Sequence, residues 1–221
     1  MDKKDFEEER KHVVENLKKM GYIKDKRIER SMLKVKREEF VESKNRENAY
    51  IDMPLPIPGE AATISAPHMH AICLSALKLK PGDKFLEIGS GSGIFQAYAR
   101  EILGKEGKTI GIEIDPETYS FGKKNLERTG YIDVKFVLGD GSKGLPEEAP
   151  FDKILISAAC PDIPKPLIEQ LKPSGVIVAV VGSGYGNQEL VYMKKLKSGE
   201  ITRKDILPVV FVTLKGEYGW K

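Results

Sequence analysis

Cysteine is scarce in this chain of 221 residues: Cys73 and Cys160 lie far apart and lack the spacing of a metal site. We expect two reduced, packed side chains of a cytoplasmic protein, and no metal. Long apolar runs are absent as well. The longest uncharged stretch, 61–77, contains two histidines, two serines, a threonine and a proline, a composition that excludes a lipid-facing helix. The chain opens on Met-Asp-Lys-Lys-Asp, which is unlike a signal peptide.

An excess of one charge is also missing from most of the chain. There are 36 lysines and arginines against 33 aspartates and glutamates, a net charge of +3. Residues 1–48 hold 15 of these bases and 12 of the acids, and residues 49–221 hold 21 of each. So small a surplus, spread over mixed-charge helices, is unlike the basic face of a nucleic-acid-binding domain. We expect neither a nucleic-acid nor a membrane partner.

The most informative feature present is a glycine-rich turn. Residues 85–94 read Phe-Leu-Glu-Ile-Gly-Ser-Gly-Ser-Gly-Ile, which predicts a buried strand, a tight turn and a helix start. The G-x-G-x-G spacing of Gly89, Gly91 and Gly93 differs from the G-x-G-x-x-G of pyrophosphate sites. Glu87 would repel a phosphate but attract a cation, and S-adenosylmethionine carries an ammonium, a sulfonium and no phosphate. We interpret the loop as a site for that cofactor; a purely structural turn is the alternative.

An acidic residue stands at the end of each of the next two predicted strands. Residues 109–114 alternate in polarity and contain Glu113. Its carboxylate is expected to accept hydrogen bonds from both ribose hydroxyls of a nucleoside. Residues 134–138 precede Gly139-Asp140-Gly141, where Asp140 is placed to accept a hydrogen bond from the adenine amino group. Ligands of open α/β sheets bind outside the carboxyl ends of the strands. Three acids at three successive strand ends therefore point to one binding site.

Strands and helices alternate from residue 84 onward, which predicts an α/β fold. The strands are expected at 85–88, 109–114, 134–138, 152–157, 176–181, 189–195 and 206–214. The stretch 182–187 separates two of them as a hairpin loop, so the last strands are expected to be antiparallel. Apolar residues at helical spacing predict two N-terminal helices, over 2–20 and about 25–35. The expected fold is a Rossmann-like, mostly parallel, doubly wound sheet with antiparallel C-terminal strands and an N-terminal helical extension.

A serine, a proline and two histidines stand together before the glycine loop. Ser65 is expected as the N-cap of a helix that has Pro67 in its first turn and runs to Leu77. Its hydroxyl can also orient an incoming anion at the helix N-terminus, and the two roles can coexist. His68 either faces a cleft or is packed or solvated as an ordinary helix residue, and His70 is expected to point elsewhere.

These segments resemble the protein-L-isoaspartate (D-aspartate) O-methyltransferase family, in family order from about residue 30 to residue 214. The matching residues are Arg37 and Phe40; Ala49-Tyr50-Ile51-Asp52 with Pro54-Leu55-Pro56-Ile57; Ala62-Thr63-Ile64-Ser65-Ala66-Pro67-His68-Met69; residues 86–93; Gly139-Asp140-Gly141; Ala149-Pro150-Phe151-Asp152; and Leu171-Lys172-Pro173 with Gly175. Residues 64–69 are specific to this family among methyltransferases, whereas the glycine loop is shared by the Rossmann-like class. Lys36 departs from the family, which often has proline there; this affects a turn and not the chemistry.

The resemblance implies a repair enzyme with a Rossmann-like S-adenosylmethionine-dependent methyltransferase fold. Such an enzyme methylates the free carboxylate of L-isoaspartyl and D-aspartyl residues in damaged proteins and peptides, and releases S-adenosyl-L-homocysteine. The ester then collapses to a succinimide without the enzyme. We expect residues 61–221 to form the methyltransferase domain and residues 1–60 a helical extension and linker, in one compact, monomeric unit.

Carried onto this chain, the resemblance makes Ser65 the catalytic residue. Taken with the residue patterns, it gives these expected cofactor contacts: Ile64, Ser65, His68, Glu87, Gly89, Gly91, Gly93, Glu113, Asp140, Gly141 and Thr213. Two other functions share the fold: methylation of RNA or a small molecule, and non-catalytic binding. The sequence Ile156-Ser157-Ala158-Ala159-Cys160-Pro161 stands where amino-methylating enzymes carry an Asn/Asp-Pro-Pro-aromatic motif, which disfavours methylation of nitrogen. The acids and the intact Ser65 segment argue against a binding module.

Overall fold

The computed structural model describes residues 5–183 and 186–220. The helices are α1 (Phe6–Lys19), α2 (Lys26–Lys34), α3 (Pro67–Leu77), α4 (Ile94–Leu103), α5 (Pro116–Arg128) and α6 (Lys165–Glu169). The strands are β1 (Leu55–Pro56), β2 (Thr63–Ile64), β3 (Lys84–Ile88), β4 (Lys108–Glu113), β5 (Lys135–Leu138), β6 (Phe151–Cys160), β7 (Leu171–Gly182), β8 (Gln188–Lys195) and β9 (Ile201–Val209). Residues 2–4 of the predicted first helix and residues 184 and 185 of the predicted hairpin loop lie outside the described residues.

Seven of these strands form one sheet in the order β5-β4-β3-β6-β7-β8-β9. The strands β5, β4, β3, β6 and β7 are parallel to their neighbours, whereas β8 is antiparallel to β7 and β9 to β8. The inner parallel strands are largely buried on both faces, as the runs 154–156 of β6 and 176–181 of β7 show, whereas β5 at the edge of the sheet is partly exposed. The predicted doubly wound sheet with antiparallel C-terminal strands is confirmed.

Alternation along β3 divides the core into two layers. Phe85 belongs to the apolar cluster that contains α3 and α4, and Leu86 and Ile88 belong to the cluster on the opposite face. Successive side chains of a strand point to opposite faces. Glu87 therefore lies on the same face as Phe85, beneath α4.

The N-terminal helices pack onto this first layer. Asp5 caps α1 by accepting a hydrogen bond from the Glu7 N–H at 3.0 Å. Leu17 of α1 and Met32 of α2 are buried in the cluster that holds Phe85. The extension thus shares its core with the sheet, and the boundary at residue 60 stays a prediction.

Two local predictions are wrong. The last strand was expected over 206–214 but ends at Val209. Pro208 lies in this edge strand, where it cannot donate a ladder hydrogen bond, and the chain leaves the sheet just after it. The second correction concerns α3: Ala66, and not Ser65, is its N-cap residue, with Pro67 in the first helical position.

Within residues 5–183 and 186–220, no helix combines the length and the apolar character that crossing a bilayer requires.

Candidate active site

The glycine loop joins β3 to α4 with the backbone conformation that its sequence predicts. Gly89, Gly91 and Gly93 have φ values of 77°, 54° and 82°, in the left-handed region that glycine occupies without strain. Gly93 is also the N-cap of α4, and a Cβ built on it would lie 2.9 Å from Leu126 Cγ. The third glycine therefore permits close packing of α5 on the loop.

Glu87 is nearly inaccessible, with 3% of its surface exposed. The Ser157 hydroxyl donates to it at 2.6 Å, and the Gln96 amide donates as well. Burial raises the pKa of the Glu87 carboxyl to about 8; the hydrogen bonds from Ser157 and Gln96 oppose the shift, and the charge of Glu113 adds to it. This carboxyl is thus held beneath the loop by two donors.

Glu113 ends β4 beside the loop. Its carboxylate accepts hydrogen bonds from the backbone N–H groups of Gly91 at 2.9 Å and of Ile114 at 2.8 Å. Asp115 then caps α5 by accepting from the Thr118 N–H at 2.8 Å. The acid predicted to bind a ribose therefore also holds two consecutive turns in place.

A cavity of about 310 Å³ lies against these elements, within the size range of small-molecule sites. Its wall includes Gly89, Gly91, Glu113, Gly141 and Thr213 of the predicted contacts. Among the described lining residues, the acids Glu60, Glu113 and Asp115 stand against one base, Lys215. That balance of charge suits a ligand that carries positive charge and hydroxyl groups.

Asp140 does not line this cavity, because its carboxylate is engaged on the other side. It accepts from the N–H and the hydroxyl of Ser142, at 3.0 and 2.6 Å, and from the Glu217 N–H at 2.9 Å. Burial raises the pKa of Asp140, but these hydrogen bonds outweigh burial and hold it below its usual value. Its predicted contact with adenine stays a prediction; the neighbouring Gly141 is the one that reaches the cavity.

The C-terminal segment, residues 210–220, forms the roof of the cavity through residues 211–215, which line it. Thr213 pairs with Ala159 in an isolated parallel bridge, and the Trp220 indole N–H donates to the Ala159 carbonyl at 2.9 Å. Lys215 reaches across to Glu60 at 2.6 Å. Thr213 thus lies beside the site, although it belongs to this segment and not to the last strand as expected.

A larger, open groove of about 1110 Å³ adjoins the cavity. Ser65 and His68 line it on one side, and residues 207–212 line it on the other. Ser65 also lines a small space of about 40 Å³ together with Ile64, Glu87 and the glycine loop. Among the described residues, the Ser65 hydroxyl has no hydrogen-bond partner, so it is available to a ligand.

Three residues that the sequence did not single out line all of these spaces: Thr63, Ser157 and Phe211. Ser157 had a usable signal, since it follows the buried run 154–156 of β6, at the point where the pairing with β3 ends. His70, expected to point away, is 6% exposed and packs in the core. Burial and the nearby Arg37 charge hold its pKa well below the usual value.

Within residues 5–183 and 186–220, no group of three or more histidine, cysteine or acidic side chains is arranged to hold a metal ion. Cys73 and Cys160 are both buried and unpaired with each other.

The sheet order, the G-x-G-x-G turn and an acid at the next strand end define a Rossmann-like methyltransferase of the S-adenosylmethionine-dependent class. Within that class, the chain belongs to the protein-L-isoaspartate (D-aspartate) O-methyltransferase family, whose family model matches residues 8–219. The resemblance seen in the sequence is confirmed.

Relatives of known name match over nearly the full chain. The protein-L-isoaspartate O-methyltransferase of Pyrococcus horikoshii is 48% identical over 100% of this chain and 99% of its own, and that of Hyperthermus butylicus is 46% identical over 98% and 92%. A solved protein-L-isoaspartate O-methyltransferase superposes with a TM-score of 0.86 at 28% identity, over 95% of this chain and 67% of its own. A Plasmodium falciparum beta-aspartate methyltransferase, solved in complex with S-adenosyl-L-homocysteine, superposes with a TM-score of 0.81 at 30% identity. The match covers 93% of this chain and 97% of its own.

Proposed function

We propose that this chain transfers a methyl group from S-adenosylmethionine to the free carboxylate of L-isoaspartyl and D-aspartyl residues in damaged proteins and peptides. One observation carries the proposal: a cavity and a larger, more open groove both have Ser157 in their walls. The cavity has the size and the acids for the cofactor, and the groove is open enough for a peptide. The family match supports this repair reaction over methylation of RNA or a small molecule.

The residues fit the cofactor. Gly89 and Gly91 present bare backbone to the cavity, and Glu113 stands where ribose hydroxyls can be bound. When bound, S-adenosylmethionine supplies an electrophilic methyl group on a sulfonium. The cofactor of the Plasmodium falciparum relative, seen as its product S-adenosyl-L-homocysteine, agrees with this assignment.

Positioning is the task left to the protein, because the substrate carboxylate is already a nucleophile at neutral pH. Holding reacting atoms in line can lower a barrier by about 7–11 kcal/mol in favourable cases. Ser65, with its hydroxyl free of other bonds, is placed to orient that carboxylate at the N-terminus of α3. The partial positive charge of a helix N-terminus favours an anion there. A site without a strong base is therefore sufficient.

We also propose that the protein acts as a cytoplasmic monomer. The edge strand β9 exposes the charged residues Arg203, Lys204 and Asp205, which discourage pairing with a second copy. The two buried, unpaired cysteines fit a reducing compartment. Light scattering after size exclusion tests the monomer: a mass of twice 24.6 kDa would contradict it.

The decisive assay uses two peptides that differ only in isoaspartate against aspartate. With labelled S-adenosylmethionine, we expect transfer to the isoaspartyl peptide and none to its partner. Calorimetry with S-adenosyl-L-homocysteine serves as the control for a folded cofactor site. Cofactor binding without transfer to either peptide would overturn the repair reaction and favour a different acceptor.

A further inference from the structure

Asp52, which lies outside α3, caps the N-terminus of that helix with its side chain. Its Oδ1 atom accepts a hydrogen bond from the His68 backbone N–H at 2.9 Å and lies 2.9 Å from the His68 ring Nδ1. An acceptor for a first-turn N–H is the role of an N-cap side chain, yet here it comes from 16 residues upstream. One carboxylate oxygen therefore fixes both the backbone and the ring of His68.

The segment that carries Asp52 is itself anchored in the core. The Arg37 side chain donates to the Ala49 carbonyl at 2.6 Å, and the Tyr50 hydroxyl donates to Glu38 at 2.5 Å. Arg10 of α1 donates to that same Tyr50 hydroxyl at 2.7 Å. Arg10, Arg37 and Glu38 are buried. The two residues just before Ile51-Asp52 are thus fixed to the N-terminal helices, and Asp52 is exposed but not freely placed.

The bond to Asp52 also determines which ring nitrogen of His68 is free. A neutral imidazole that donates Nδ1–H to a carboxylate keeps Nε2 as an acceptor. The ring lines the open groove next to Ser65, and its other flank faces Tyr22, with ring centroids 6.1 Å apart. The remaining acceptor is then available to a main-chain N–H of a peptide in the groove.

We propose that Asp52 is a positioning residue for peptide binding: it holds the N-terminus of α3 and the ring of His68 so that Nε2 accepts a hydrogen bond from the substrate main chain beside Ser65. The proposal rests on the proposed function, since it needs a peptide in the groove. It gives the N-terminal extension a part in the site, because the Arg10, Arg37, Glu38 and Tyr50 contacts fix the segment that carries Asp52.

The test is a double-mutant cycle read by steady-state kinetics on the isoaspartyl peptide. We expect Asp52→Ala and His68→Ala each to raise the KM for the peptide about ten-fold, with kcat within about two-fold of wild type. The double variant should be no worse than either single one, because Asp52 acts through the His68 ring. Asp52→Asn keeps an acceptor oxygen and should return KM to within about three-fold of wild type.

The cycle separates this role from simple helix capping. The His68 backbone N–H is still present in His68→Ala, so a carboxylate that only caps α3 would give additive losses. Asp25, which caps α2 by accepting from the Arg27 N–H at 2.8 Å, provides the matched control. Asp25→Ala should lower the melting temperature as Asp52→Ala does and leave KM unchanged.

Two results would overturn the proposal. Additive effects in the cycle, or a fall in kcat at constant KM, with an active wild-type enzyme would refute the role of Asp52 alone. Absence of transfer to the isoaspartyl peptide by the wild-type protein, with S-adenosyl-L-homocysteine still bound, would refute the proposed function and this proposal with it.

Discussion

Ser65 is not the N-cap residue of α3, although serine is favoured at that position and proline follows two residues later. The Asp52 carboxylate supplies the capping bond instead, and the Ser65 hydroxyl is left without a partner among the described residues. The preference of serine for N-cap positions could not predict that Asp52 takes over the capping bond, because Asp52 lies in a distant turn of the chain. The active-site role carried over from the family is easier to understand with the hydroxyl free.

Removing this hydroxyl should therefore change catalysis and not stability. We expect the free energy of unfolding of Ser65→Ala to lie within about 0.5 kcal/mol of the wild-type value, since no intramolecular hydrogen bond is lost. Its kcat/KM on the isoaspartyl peptide should fall about ten-fold to a hundred-fold, the effect of losing a hydrogen bond to a charged group. Urea denaturation and peptide kinetics measure the two quantities. Normal turnover would leave Ser65 as a lining residue only.

Glu87 predicts how stability changes with pH. Its pKa is near 4.5 as an ordinary side chain and rises to about 8 in the folded protein, chiefly through burial. Between these values the folded state holds a proton that the unfolded state has released, so this group makes stability fall as pH rises from about 5 to about 8. Below that window both states are protonated, and above it both are ionised.

Glu87→Gln isolates this contribution. We expect the ligand-free wild type to lose more stability than the variant between pH 5 and pH 8, as measured by urea denaturation, because only the wild type carries the titrating group. All other groups titrate in both proteins and cancel in the comparison. Parallel pH profiles would show that Glu87 is ionised in the folded protein throughout this window.

At the scale of elements, the glycine loop was the part most fully predicted. Its conformation depends on three neighbouring glycines, and each has the positive φ that the spacing suggested. The last strand was predicted five residues too late at both ends, because its apolar residues at 210–214 line the groove and the cavity and do not pair in the sheet. An apolar pattern does not distinguish a residue of a sheet from one that lines an open groove, where Val210 is 88% exposed.

A glycine can be required by a left-handed backbone or by lack of space for a Cβ, and Gly93 allows these two causes to be separated. It has φ 82° and a neighbour, Leu126 Cγ, 2.9 Å from where a Cβ would stand, whereas Gly82 has φ 83° and nothing within 4 Å. We expect Gly82→Ala to cost about 1 kcal/mol for the left-handed backbone alone. Gly93→Ala should cost about 3 kcal/mol, because overpacking against α5 is added.

Chemical denaturation of both variants gives the comparison. Gly82→Ala is the control for backbone strain, since it shares the conformation without the crowding. Equal losses would mean that Leu126 moves aside at no cost, and the loop would then be less closely packed on α5 than its geometry indicates.

At the scale of the whole molecule, the site is assembled from segments that are far apart in the chain. The sheet supplies the loop and its acids in sequence order, and this part was predictable from strand ends that meet at one edge. The segment that caps α3 comes from before the sheet, and the roof comes from after it. Asp140 shows the limit of sequence reasoning: its position at a strand end was correct, but its partners, Ser142 and Glu217, depend on the path of the C-terminus.

Trp220 reports on the position of the C-terminal segment, because it is the one tryptophan of the sequence and its indole N–H donates a hydrogen bond to the Ala159 carbonyl. Asp140 holds the same segment three residues earlier, through the Glu217 N–H. We expect Asp140→Ala to release the segment, shift the tryptophan emission of the ligand-free protein to longer wavelength, and weaken binding of S-adenosyl-L-homocysteine about ten-fold.

The matched control is Asp133→Ala, which removes an exposed aspartate paired with Arg100 away from the C-terminal segment. It should change neither the emission nor the affinity. The emission also separates the two roles considered for Asp140. If the carboxylate only contacts the adenine, Asp140→Ala will lose affinity while the emission of the ligand-free protein stays at the wild-type wavelength. If it fastens the roof, the emission shifts before any ligand is added, and saturating S-adenosyl-L-homocysteine moves it back towards wild type because binding favours the closed segment.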